Sequence, residues 1–137
     1  MGKDVTGESI YNEPLSNYGE PMEMERRLFV RFTMTSSVTL SPEKDDLVRI
    51  PCDLCDMSYE GLGVYSQKNI LVERIKFSIF NHELNVNLKG TARVVFCKSV
   101  RYNDKDCFRV GLEFLEVDRD NVRDILKRVR DIPPENR

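Results

Sequence analysis

Arg26-Arg27-Leu28-Phe29-Val30-Arg31 and, about a strand further on, Asp56-Met57-Ser58-Tyr59-Glu60-Gly61 are the two stretches on which the rest of the chain is arranged. The first sets three guanidiniums within six residues, and the second groups a carboxylate, a hydroxyl and a glycine. A guanidinium is a planar fork that grips phosphate bidentately, bonds the O6/N7 edge of guanine or stacks on a base. Asp56 can only accept, which suits the N–H-bearing edge of guanine, while Ser58 both donates and accepts. Gly61 lets backbone approach where a Cβ would collide. Together the two stretches read as one anion site complementary to a guanine nucleotide. Taken singly, each is ordinary: arginines opening a surface strand are usually solvated, and the second stretch has common turn composition.

Outward from these stretches the pattern is β-like. From Leu28, Val30, Phe32 and Met34 alternate with Arg31, Thr33 and Thr35, and Val38 and Leu40 extend the run. After the polar turn 41–46 the spacing predicts strands over 47–54, from Leu62, over 75–80, over 84–100 and over 107–115, with the hexapeptide 56–61 as a loop joining two of them. Lys89-Gly90 predicts a bulge or bend, and Tyr102-Asn103-Asp104-Lys105-Asp106 a hairpin turn. The period then changes. Asp118 is placed to cap a helix whose Val122, Ile125, Leu126 and Val129 form one apolar stripe, stopped by Pro133-Pro134. The expected fold is mainly β: a small antiparallel six-stranded barrel with a C-terminal helix across it. Residues 1–24 read as an arm, 25–132 as the domain and 133–137 as a tail.

Arg27-x-x-x-Arg31 followed by Asp56-x-Ser58-x-x-Gly61 resembles the RxxxR and (D/N)xSxxG pair of the PilZ family, and Val110-Gly111-Leu112-Glu113-Phe114 looks like that family's closing strand. The resemblance covers roughly residues 25–130. It implies a split barrel and a ligand, the bacterial second messenger cyclic di-GMP. It implies further that Arg27 and Arg31 bind phosphate and the guanine Hoogsteen edge, that Asp56 and Ser58 meet guanine and other polar edges, and that Gly61 shapes the loop. Arg26 is an extra guanidinium, which in the family accompanies capture of a stacked cyclic di-GMP dimer. An arm carrying these arginines at the edge of the barrel can be ordered by ligand phosphates, turning binding into a change of shape. A one-domain receptor of this kind signals through an effector protein, in motility, biofilm formation or a related process. The competing reading is a PilZ-like interaction module without nucleotide, acting in pilus assembly or motility.

Composition limits the alternatives. Hydrophobic content of 40% and charged content of 32% in 137 residues fit one folded domain. Net charge is −2 with a pI near 5.5, so broad attraction to nucleic acid or anionic lipid is not expected. No apolar run is long enough to cross a bilayer and no secretory leader opens the sequence, so the expected compartment is the cytoplasm. Cys52-Asp53-Leu54-Cys55 is a CxxC without the second pair a zinc ribbon needs, and in a strand its thiols point to opposite faces. The expectation is structural thiols, no metal and no cofactor beyond the ligand. With one histidine, His82 in a turn, and no phosphate-binding loop or nucleophile elbow, the chain reads as a receptor rather than an enzyme.

Overall fold

Closure of one strand on both its edges makes the sheet a barrel. The computed structural model describes residues 29–32 and 36–137. In order, the elements are β1 (Phe29–Arg31), β2 (Ser37–Pro42), β3 (Ile50–Ser58), β4 (Gly61–Ser66), β5 (Arg74–Asn81), β6 (Val86–Tyr102), β7 (Lys105–Val117) and α1 (Arg119–Arg130), followed by a 3-10 turn at Pro134–Asn136. All pairings are antiparallel. The ring runs β3–β2–β5–β6–β7–β4 and closes by pairing β4 back onto β3, so the expected six-stranded barrel with one C-terminal helix is what forms. The additional strand, β1, lies end to end with β2 on the same edge of β3: Phe32 N donates to Cys55 O at 2.9 Å, and Leu54 N donates to Ser36 O at 3.0 Å. Sequence alternation reads this edge as a single strand from Leu28. Arg26 and Arg27 lie outside the described residues.

The largest departures from the sequence reading are at the two ends of β3, and one of them bears on the site. Leu47 is 93% exposed in a loop, and β3 begins only at Ile50. It then runs through Ser58, leaving Tyr59-Glu60 alone between β3 and β4. The hexapeptide read as a loop is therefore a tight hairpin, with Asp56 and Ser58 on one strand and Gly61 on the next. Polar residues suggested a loop, whereas they occupy the outward positions of a strand whose inward Met57 is fully buried.

Bulges set which face those positions take. Along β3 the inward residues are Cys52 and Leu54, and strict alternation would send Asp56 into the core. The β3–β4 register shifts between Leu54 and Asp56, so Cys55 is an extra residue; Asp56 turns outward and Met57 takes the core position. On β6 the same device acts at Val95. Ala92 is fully buried and Val94 packs on the core, and the shift between Val94 and Phe96 turns Phe96 outward opposite Gly111. Near the expected break at Lys89-Gly90, the ladder slips between Thr91 and Ala92, with Leu115 of β7 as the extra residue.

The core fills the barrel with Leu40, Met57, Ile75, Ile79, Leu88 and Val110, and with the tilted Phe77–Phe114 pair at 5.4 Å. Asp118 caps α1 by accepting from Asn121 N at 3.1 Å. The stripe Val122, Ile125, Leu126 and Val129 is buried against β1, β3 and β6, worth roughly 1.5–3 kcal/mol for each side chain. The long β6–β7 hairpin turns at Asn103 and Asp104, whose φ values of 54° and 62° are those of a primed two-residue turn.

Candidate ligand-binding groove

On the outer face of β3, β4, β7 and β6, register alone assembles two adjacent cross-strand rows. One row runs Arg31, Asp56, Gly63, Gly111, Phe96. The next contains Phe29 opposite Ser58, and Gly61, Glu113 and Arg93 in line. Strand spacing of about 4.8 Å sets Asp56 and Phe96 about 14 Å apart across an open groove of about 350 Å³.

The glycines make that groove flat. A methyl at Gly63 would overlap the Arg109 guanidinium, and one at Gly111 would overlap the Phe96 ring. Both planar groups therefore lie on the backbone, with the guanidinium carbon 5.9 Å from the ring centroid. Phe96 is 40% exposed, and together they offer a stacking surface suited to a purine. Gly61 differs: its missing side chain is demanded by the backbone of β7, since a methyl would overlap the Leu112 carbonyl oxygen.

Asp56 is not the lone acceptor that the sequence suggests. Its Oδ2 accepts from Arg109 Nη2 at 3.0 Å, with the two side chains only 24% and 21% exposed. Arg109 also donates from Nη1 to Val110 O at 3.2 Å, and its guanidinium carbon lies 5.7 Å from the Tyr65 ring. Among the described residues Oδ1 of Asp56 takes no hydrogen bond, so one acceptor faces the groove. Ser58 Oγ accepts from Glu60 N at 3.3 Å and donates to Gly61 O at 3.5 Å, which sets the hydroxyl across the hairpin. Arg31 is exposed, one strand from Asp56, with its guanidinium carbon 5.9 Å from the Phe29 ring and no ion pair among the described residues.

The structure thus brings Arg31, Asp56, Ser58 and Gly61 together, and adds Arg109, Phe96, Gly63 and Gly111. Arg109 lies 53 positions from Asp56 and gives no local signal. Three carboxylates (Asp56, Glu60, Glu113) face two guanidiniums (Arg93, Arg109) in the groove, so the barrel side supplies acceptors and a flat surface. Arg31 stands exposed at the edge of this groove, on β1.

Tyr59 does not face the groove; it packs on the core side, its carbonyl accepts from Arg119 Nη1 at 2.9 Å, and its ring lies 5.3 Å from Arg119 and 5.6 Å from Arg123. This ties the hairpin to α1. Of the CxxC thiols, Cys52 is buried in the core, where burial pushes it up to about 11, and Cys55 lies outward, its Sγ 3.8 Å from Asp56 Oδ2. The Tyr65 phenol is held above its ordinary range, first by its hydrogen bond with Cys55 and then by burial.

A family model described as the PilZ domain matches residues 25–130. No curated protein matches. Among solved structures, the fold is similar to the PilZ domain with c-di-GMP of YcgR from Escherichia coli, at TM-score 0.58 and 17% identity over 74% of this chain and 84% of that one. It is also similar to the Bacillus subtilis inhibitor of motility MotI/DgrA, at TM-score 0.57 and 18% identity over 80% of this chain; the match spans 52% of that protein.

Proposed function

The chain belongs to the PilZ domain family, and on that premise we propose that it is a cyclic di-GMP receptor. In this reading the nucleotide is held between the outer groove and Arg26, Arg27 and Arg31, and binding orders the arginine segment over the groove and passes the signal to a partner protein. The observation that carries the reading is Asp56. A bulge turns its carboxylate out of the core, beside Ser58 and across from Arg31, with one oxygen open to a guanine N–H. The chemistry divides between the two sides: the arginines take the phosphates and Hoogsteen edges, while the groove accepts from the base and stacks it on Phe96 and Arg109. No proton or group transfer is needed, so the ligand leaves unchanged.

Charge-assisted hydrogen bonds contribute roughly 1.5–3 kcal/mol each, and a handful of them, less the cost of ordering the arginine segment, gives about micromolar affinity. Arg26, next to Arg27, supports two stacked ligands per chain. Calorimetric titration of the wild-type protein with cyclic di-GMP is expected to give about micromolar Kd and a stoichiometry of two. A stoichiometry of one removes the stacked pair, and no heat and no binding in a second assay remove the receptor reading altogether.

A further inference from the structure

Glu113 and Arg93 face each other across β7 and β6 in the row that begins at Ser58, and both line the groove. Arg93 donates from Nε at 3.0 Å and from Nη2 at 2.7 Å, and both bonds go to the same oxygen, Oε1 of Glu113. Among the described residues, Oε2 of Glu113 and Nη1 of Arg93 take no hydrogen bond. The pair is 46% and 48% exposed, too open to matter much to stability. It copies the arrangement at the other end of the groove, where Arg109 occupies one oxygen of Asp56 and leaves the second open.

We propose that the Arg93–Glu113 pair is a second base-reading element, which accepts from a guanine amine through Glu113 Oε2 and donates to a guanine acceptor through Arg93. The proposal rests on the cyclic di-GMP reading above and adds residues outside the RxxxR and (D/N)xSxxG motifs. Its geometry follows from the sheet. Glu113 lies two strands and two residues from Asp56, about 12 Å away, with Phe96 beside it on β6. A purine lying on Phe96 turns an edge toward the adjacent row, which Arg93 and Glu113 occupy. At the opposite end Ser58 stands in that adjacent row, while Asp56 closes the row of the floor itself. A ligand carrying two guanines presents N–H donors at both ends, so two carboxylates with one open oxygen each match it.

The test compares Glu113→Ala with wild type by calorimetry, using cyclic di-GMP and its inosine analogue, which lacks the exocyclic amine. Glu113→Ala is expected to weaken cyclic di-GMP about tenfold and the analogue by less than about threefold, since only the former loses a bond to Oε2. The melting temperature should stay unchanged. Equal losses for both ligands, or no loss for either, overturn the proposal. Asp56→Ala separates the two levels of inference: if it abolishes binding while Glu113→Ala behaves as wild type, the receptor reading stands and the second reader falls. If wild type binds neither ligand, both fall.

Discussion

Arg31→Ala should lower affinity for cyclic di-GMP by at least about 100-fold while the melting temperature stays within about 2 °C of wild type. The dissociation of the two effects is the informative part. Arg31 is exposed, faces outward from β1 and makes no ion pair among the described residues, so removing it leaves no buried partner unsatisfied. Its inward neighbour Val30, which is buried, holds β1 on the barrel and is untouched. The groove cannot replace the lost cation, because Arg109 and Arg93 are already tied to carboxylates. Arg27→Ala is expected to lose binding in the same way. Asp56→Ala should behave differently in stability: it strips the partner from a guanidinium only 21% exposed, so some loss of melting temperature should accompany the loss of binding. Thermal unfolding and calorimetry on the same preparations measure both. A collapse of stability in Arg31→Ala would return that arginine to the architecture.

The glycines should separate just as sharply. At Gly61 the obstructing group is the β7 carbonyl of Leu112, and strand backbone held by ladders on both edges has nowhere to go. Gly61→Ala is therefore expected to cost roughly 3 kcal/mol or more, lowering the melting temperature by about 10 °C. At Gly63 the obstructing group is the tip of Arg109, a side chain that can swing aside. Gly63→Ala should leave the melting temperature much nearer wild type but lift Arg109 off the floor, breaking its bond to Asp56 and weakening cyclic di-GMP about tenfold or more. Equal melting temperatures for the two variants would mean that β4 and β7 do not approach as closely at Gly61 as described.

Much of the architecture could be read from period alone. Alternation located β5 and most of β6 and β7, and the switch to helical spacing after Asp118 located α1 with its cap and buried stripe. The polar run 102–106 announced the hairpin, which the structure narrows to a primed two-residue turn at Asn103-Asp104. What period could not supply was phase across a bulge. Counting by twos from Cys52 buries Asp56, and counting by twos from Ala92 buries Phe96; both conclusions fail because one inserted residue, Cys55 or Val95, reverses the faces. The motif resemblance pointed to Asp56 and Ser58 without explaining why they face outward. That Arg109, Arg93 and Glu113 share the groove was illegible for another reason: strand pattern reveals which side a residue takes, but only barrel closure reveals its neighbours. The β4–β7 pairing brings residue 63 beside residue 111, and no local signal encodes that.

The most direct test is a crystal structure of the protein grown with cyclic di-GMP. The account predicts a guanine within hydrogen-bond distance of Asp56, bases lying over the Gly63–Gly111 floor against Arg109 and Phe96, and phosphates gripped by Arg27 and Arg31. Well-diffracting crystals with an unoccupied groove at saturating nucleotide, or nucleotide bound on another face of the barrel, would contradict it.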